Sequence, residues 1–224
     1  MKSDISLTIR KVYRILMHTY GQQHWWPGKT NLDVCMGAIL MQNTNWRNAE
    51  SALNALKLMG LFSIEQLHAI SNLELEHAIK SSGTYRMKAR KIKAFIDHVV
   101  LYWEGRLNNF LSLPKDELRN ELLSIYGIGR ESADTIIVYA AGKASFIIDA
   151  YTHRIFGRLG LLGQIRNYNS VQSLFHQALG PNAKTFNEYH ALIIQHGKIT
   201  CRSKNPSCRN CSLLNLCPTG LSSF

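Results

Sequence analysis

The sequence contains no run of about eighteen uncharged apolar residues, the length at which a membrane-spanning helix is expected. Its N-terminal stretch carries charges throughout its apolar pattern and has no small-residue cleavage site, so we do not expect a secretory signal peptide. No segment alternates convincingly between apolar and polar residues, which argues against β-strands. Internal repeats and low-complexity segments are also absent. These absences predict a cytoplasmic, all-α protein with no membrane partner.

Acidic residues are scarce relative to basic ones. The 224 residues include 15 Asp and Glu against 26 Lys and Arg, which gives a formal net charge of +11. This excess favours a polyanionic partner over an acidic small molecule, and nucleic acid fits best. With 46% hydrophobic residues, the chain can bury a core as one large domain or two small ones.

Cysteine is rare before the C-terminal region, where four cysteines lie close together. Cys35, within an apolar helical pattern, is typical of a small buried hydrophobic residue. The other four can hold one metal centre, either an iron–sulfur cluster or a structural zinc ion. Zinc sites more often pair short knuckles, and disulfides are disfavoured in the cytoplasm. The four residues, with the spacing C-x6-C-x2-C-x5-C, are Cys201, Cys208, Cys211 and Cys217.

Two helical patterns meet at a glycine turn in the middle of the chain. Apolar residues recur with helical spacing before and after Gly127-Ile128-Gly129, and Ile128 can pack inward to hold the turn. Such a turn exposes backbone N–H groups at the start of a helix, where a phosphate would be favoured. A glycine turn is also common in ordinary αα-hairpins.

Three other features have both a structural and a functional interpretation. Gln42 lies in a polar junction between helices and could cap them. Trp25 and Trp26 lie in a loop, where they either cap the core between two domains or line a base pocket. The basic run at 86–93 is either a solvated helix face or close to DNA.

Asp149 opens a helical segment after an apolar run, which is the position of an N-cap. Cleavage of an N-glycosidic bond builds positive charge on the sugar, so such a reaction needs a carboxylate near the anomeric carbon. The two roles are compatible, since a capping position would hold the carboxylate still.

The glycine turn with its flanking helices resembles the helix-hairpin-helix motif of the endonuclease III superfamily of DNA glycosylases. The resemblance rests on Gly127-Ile128-Gly129-Arg130, on Asp149 with its neighbours, and on the cysteine spacing, which matches the [4Fe-4S] loop of that family. It implies a two-lobed fold with the DNA and a flipped base between the lobes. One lobe, over 29–134, would include the hairpin, and the other, over 1–28 and 135–224, would carry the catalytic Asp and the 201–217 loop.

The resemblance also implies roles for individual residues. The hairpin, at Gly127, Ile128, Gly129 and Arg130, would hold a backbone phosphate, and Gln42 would fill the gap that a flipped base leaves. Asp149 would drive cleavage of the base–sugar bond. Lys198 would contact DNA beside a [4Fe-4S] cluster on the four clustered cysteines. The base pocket would be lined by Trp25, Trp26, Glu131 and Tyr151.

Glu131 occupies the position where bifunctional members of this family have a nucleophilic lysine. Because an ionised Glu cannot form a Schiff base with the sugar, the sequence predicts a monofunctional glycosylase that uses water. We expect a monomer, nucleoid-associated in a prokaryotic cell, acting on double-stranded DNA that contains a damaged base.

A narrower resemblance bears on the identity of that base. The tryptophans at 25 and 26, Glu131 and Tyr151 look most like the 3-methyladenine glycosylase branch, which favours alkylated purines. The best-known type of that branch lacks the cluster, which leaves oxidised pyrimidines open. The alternatives are a bifunctional glycosylase and abasic-site lyase, and a non-catalytic protein that binds damaged DNA.

Overall fold

The computed structural model describes residues 2–25 and 28–223. Within these ranges the chain forms α-helices and short 3-10 turns and no β-strand, which confirms the predicted all-α class. None of the helices described combines the length and apolarity that crossing a membrane requires. The helices are α1 (Lys2–Tyr20), α2 (Asn31–Leu40), α3 (Trp46–Leu58), α4 (Ile64–Ala69), α5 (Asn72–Ala78), α6 (Tyr85–Trp103), α7 (Leu107–Ser112), α8 (Lys115–Ser124), α9 (Arg130–Tyr139), α10 (Ala150–Arg158), α11 (Tyr168–Leu179), α12 (Ala183–Ile199) and α13 (Pro218–Leu221).

The chain divides into two compact units. One unit is Trp26–Lys143 and contains α2 to α9, and the other joins Met1–Trp25 to Ala144–Phe224 and contains α1 and α10 to α13. Each unit buries its own hydrophobic core.

The core of the unit Trp26–Lys143 is built around α6. Ile92, Phe95, Ile96 and Val99 follow one another at the i, i+3, i+4, i+7 spacing of a single helix face, and all four are fully buried. This face packs against α2, α4, α5 and α7. The long apolar stripe of α6 therefore organises the shorter helices around it.

Lys88 departs from the expectation for the basic run at 86–93. Its side chain is only 1% exposed, and its Nζ donates to the carbonyl oxygens of Leu40 at 2.8 Å and Ser82 at 2.5 Å. Burial lowers the pKa of Lys88, and the neighbouring charge of Lys91 lowers it further. Lys88 thus satisfies the C-terminal carbonyl of α2, and it is neither on a solvated face nor available to DNA.

The core of the other unit is rich in aromatic rings. Phe146 stacks on Phe175 with ring centroids 4.1 Å apart, and Tyr189 of α12 packs edge-on against Phe146. The Tyr189 hydroxyl donates to the Ile9 carbonyl oxygen at 2.8 Å, which joins α12 to α1. Since α10 packs against α12, this core also fixes the segment that begins at Asp149.

Candidate active site

The helices α8 and α9 form the predicted hairpin, and its turn has an asymmetric backbone. Gly127 adopts φ +84°, a left-handed conformation that favours glycine, whereas Gly129 has φ −91° and forms the N-cap of α9. Ile128 between them is buried, as its sequence pattern predicted. A Cβ built at Gly129 would meet no protein atom within 4 Å. The fold therefore requires glycine at 127 but leaves open space at 129.

A buried ion pair joins the two hairpin helices. Arg119 of α8 donates from Nε and Nη2 to the two carboxylate oxygens of Asp134 of α9, at 2.9 and 3.1 Å. Asp134 is completely buried, and this bidentate geometry is the strong form of a charge-assisted hydrogen bond. Sequence analysis did not identify this pair. It holds α8 and α9 in one relative orientation.

Gln42 contacts the hairpin directly. Its Nε2 donates to the Gly127 carbonyl oxygen and to the Ser132 hydroxyl, each at 3.0 Å, and its Oε1 accepts from Lys91 Nζ at 2.5 Å. The Lys91 side chain also lies across the turn, since a Cβ at Gly127 would come within 2.2 Å of its Cγ. The structure therefore brings Gln42 to the hairpin and adds Lys91, which sequence reasoning missed.

Three more of the predicted site residues that the structure describes lie at the start of α9 and at the end of the segment Met1–Trp25. Glu131 and Arg130 lie in the first turn of α9, and both are exposed. Trp25 is partly buried at the end of the other unit. Trp26 lies outside the described residues.

Asp149 is the N-cap of α10, in the second unit, as its sequence position predicted. Its Oδ1 accepts from the Thr152 N–H at 2.7 Å and from the Thr152 hydroxyl at 2.9 Å. The carboxylate is only 8% exposed. One of its two oxygens is therefore fixed by Thr152, and the carboxylate is held rigidly at the start of the helix.

His190 of α12 lies beside the second oxygen of Asp149. The distance from His190 Nε2 to Asp149 Oδ2 is 3.5 Å, and both side chains are buried. Burial would raise the pKa of Asp149, but His190 and the Thr152 donors outweigh it and hold the pKa below the usual aspartate value. Asp149 is therefore a buried carboxylate that stays ionised.

Tyr151 and Lys198 lie in the same unit as Asp149. The Tyr151 ring is partly buried against α12, where a Cβ at Gly197 would come within 2.3 Å of it. The Arg154 guanidinium lies 4.9 Å from the centroid of the ring. Lys198, near the end of α12, is exposed.

The four C-terminal cysteines line one cavity of about 90 Å³. Arg158 Nη1 donates to Cys201 Sγ at 3.2 Å, and the Gly220 N–H donates to Cys217 Sγ at 3.3 Å. Burial raises the pKa of Cys211 and Cys217, and the other cysteines of the loop raise it further. Thiols that repel one another's charge in this way are stabilised as thiolates when a cation binds between them.

The arrangement of the thiols bears on which metal group they fit. Within residues 2–25 and 28–223, no three His, Cys, Asp or Glu side chains are arranged to hold a metal ion. The thiols instead surround a space, and N–H donors point at two of the sulfur atoms. Four sulfur ligands around a cavity, with hydrogen bonds to the sulfurs, are a ligand set that an iron–sulfur core takes and that tetrahedral zinc takes as well.

Comparison with known proteins places these features in a family. Residues 36–181 match the HhH-GPD family, which is described as "HhH-GPD superfamily base excision DNA repair protein". The chain is 39% identical over 219 residues to "Putative DNA repair glycosylase MJ1434" of Methanocaldococcus jannaschii, covering 97% of this chain and 99% of that protein.

Two solved structures share the fold. An endonuclease III–DNA complex matches with a TM-score of 0.83 and 22% identity, covering 97% of each chain. The H. pylori 3-methyladenine DNA glycosylase MagIII, bound to 1,N6-ethenoadenine, matches with a TM-score of 0.70 and 22% identity, covering 88% of this chain and 97% of that one.

Proposed function

The chain belongs to the HhH-GPD superfamily of base excision DNA repair proteins and is a DNA glycosylase, and we propose that it excises a flipped, damaged base by hydrolysis without cutting the strand. The observation that carries this proposal is Asp149, a buried carboxylate that is fixed by Thr152 and kept ionised. It is rigid and negatively charged, as stabilisation of a cationic sugar requires.

The proposed reaction gives Asp149 two successive roles. As the bond between the base and C1′ breaks, its electron pair leaves with the base, and positive charge develops on the sugar. A water molecule forms the new bond to C1′ and loses a proton to Asp149 Oδ2, the oxygen that Thr152 does not occupy. The carboxylate thus stabilises the cation first and accepts the proton afterwards.

The hairpin would hold a phosphate of the damaged strand. The N-terminus of α9 presents backbone N–H groups, and the space in front of Gly129 lets a phosphate approach the backbone closely. Ile128 holds the turn from inside, and Arg130 lies exposed at the start of the helix. For Gln42 to fill a gap in the duplex, it would first have to release Gly127, Ser132 and Lys91.

Glu131 supports hydrolysis rather than strand cleavage. It is exposed in the first turn of α9, where bifunctional enzymes of the resembled family have their lysine. A carboxylate at that position cannot attack the sugar to form a Schiff base. A monofunctional reaction is therefore the simplest account of the residues present.

An alkylated purine is the substrate class that we favour. Such bases are electron-poor or cationic, so they stack well on aromatic rings and leave the sugar readily. Trp25 and Tyr151, which lie in the same unit as Asp149, would supply the rings. The fold of MagIII, which is a 3-methyladenine glycosylase, is compatible with this choice.

We propose that Cys201, Cys208, Cys211 and Cys217 hold a [4Fe-4S] cluster. When bound, the cluster would cross-link its loop and so contribute folding free energy to that segment. Arg158 and Gly220 would donate hydrogen bonds to its sulfur ligands. Lys198 precedes the loop and would meet a DNA phosphate.

Incubation with a duplex that carries several kinds of damage tests the proposal. We expect mass spectrometry to detect a free alkylated purine, and a denaturing gel to show an intact strand until alkali is added. Borohydride should trap no covalent adduct on abasic DNA. Release of an oxidised pyrimidine with a trapped adduct would instead support the bifunctional alternative, and binding without any released base would support the non-catalytic one.

A further inference from the structure

We infer that His190 is a positioning residue for the reaction, which orients the second oxygen of Asp149 from the neighbouring helix α12. This inference rests on the proposed function of Asp149 as the group that stabilises the sugar cation. It adds a residue that lies outside the hairpin, the cysteine loop and the predicted base pocket.

The two carboxylate oxygens of Asp149 have different neighbours. Oδ1 accepts both donors of Thr152, whereas Oδ2 faces His190 Nε2 at 3.5 Å. Asp149 and His190 are 8% and 5% exposed, so water screens their interaction weakly. The oxygen that would face the reaction is thus the one whose direction depends on His190.

His190 is also the titratable side chain that faces Asp149 from the neighbouring helix α12. The donors from α10 itself, the N–H and hydroxyl of Thr152, are neutral, and α13, which also packs against α10, has no titratable side chain. On α12, Glu188 instead accepts from the Gln23 N–H, and His196 bonds to the Tyr20 hydroxyl. Of these groups, His190 is the one whose side chain lies beside the carboxylate of Asp149.

The arrangement has a consequence for catalysis. A buried carboxylate without a partner would take up a proton and lose the charge that the sugar cation needs. With His190 beside it, Asp149 can stay ionised although it is almost excluded from water. Rotation of the carboxylate is restricted as well, because Thr152 holds Oδ1 and the buried His190 ring lies beside Oδ2.

The test compares His190→Gln with wild type in single-turnover base release on a duplex that carries an alkylated purine, over a range of pH. Glutamine keeps a hydrogen-bond donor but cannot carry a charge. We expect release at neutral pH to slow about tenfold or more, and the acidic fall in rate to move to higher pH. Duplex affinity should not change, since His190 is buried.

A matched control separates this role from a purely structural one. His176 is a partly buried histidine of the same unit whose Nε2 accepts from the Phe146 N–H, and His176→Gln removes a ring that stacks on the core residue Phe186. It should affect thermal stability without moving the acidic fall in rate. If glutamine at 190 prevents folding, His190→Asn offers a smaller amide for the same measurement.

Three outcomes are decisive. The inference is supported if the acidic fall in the rate of base release occurs at a higher pH in His190→Gln and at the wild-type pH in His176→Gln. Wild-type rate and pH profile in a folded His190→Gln protein, while Asp149→Asn is inactive, would overturn the role of His190 and leave the proposed function intact. Failure of the wild-type protein to release any base would overturn both.

Discussion

Thr152 directs two donors at one oxygen of Asp149, and in doing so it combines helix capping with the placement of a reactive group. The N–H bond caps α10, while the hydroxyl bond adds a second, independent restraint on Oδ1. Thr152 is completely buried, so neither donor has water as an alternative partner. At the scale of single residues, stability and reactivity therefore depend on the same contacts.

Replacement of Thr152 by Val should separate these contributions. The change keeps the shape and the N–H but removes the hydroxyl, and we expect it to lower the free energy of unfolding at neutral pH by about 2 kcal/mol. Urea denaturation measures this loss. Thr152→Ser retains the hydroxyl and should stay near wild type; equal losses in both variants would contradict the role of the hydroxyl bond.

The same variant has a predicted pH dependence. The pKa of folded Asp149 lies below its usual value, so its contribution to stability is complete above the ordinary aspartate pKa and is lost as the pH falls through the lower folded value. The difference in the free energy of unfolding between wild type and Thr152→Val should therefore become smaller as the pH is lowered.

Sequence reasoning reached only part of this arrangement. Asp149 was predicted as an N-cap because an apolar run precedes it and a helical pattern follows it. The threonine three residues after the capping Asp is a local sequence signal for the hydroxyl bond. His190 gave no such signal, because it reaches Asp149 only through the packing of α10 on α12.

At the scale of elements, the hairpin uses its two glycines differently. The positive φ at position 127 requires glycine, whereas the negative φ at position 129 does not. The difference allows the fold and the proposed phosphate contact to be tested separately.

Gly127→Ala should destabilise the protein by about 1–2 kcal/mol, since alanine disfavours positive φ and its Cβ would displace Lys91. Gly129→Ala should change the free energy of unfolding by less than about 1 kcal/mol. It should nevertheless weaken duplex binding about tenfold, because the new methyl group would hold a phosphate away from the N–H groups of α9. Fluorescence anisotropy at fixed salt measures the binding, and unchanged affinity in Gly129→Ala would argue against a phosphate at this turn.

The longer helices were predictable from their apolar periodicity, but two short ones were not. Helices α4 and α7 have six residues each, too few for the apolar pattern to repeat. Lys88 was misread for a related reason. The sequence shows that a lysine is charged but not that carbonyl groups from two other segments surround its amine.

At the scale of the whole molecule, the cysteine loop and the basic excess are the properties that sequence indicated most directly. Both depend on residue identity and spacing rather than on packing. The chain divides into two units, each with its own core; the hairpin and Gln42 lie in one unit, and Asp149 and the four clustered cysteines lie in the other.

Purification without oxygen should yield a brown protein with about four iron and four sulfide ions per chain. Cys211→Ser should lose the colour and the iron. Cys35→Ala is the control, because Cys35 is buried in α2, where burial raises its pKa, and lies in the unit without the loop. Colourless, zinc-loaded wild-type protein would contradict the assignment.

The most direct measurement of the central claim is single-turnover base release by wild type and Asp149→Asn on one duplex carrying an alkylated purine. The substitution preserves the size of the side chain and removes the negative charge. We predict that wild type releases the free base and that Asp149→Asn is slower by at least about a hundredfold while binding the duplex with similar affinity. Equal rates in the two proteins would contradict the account.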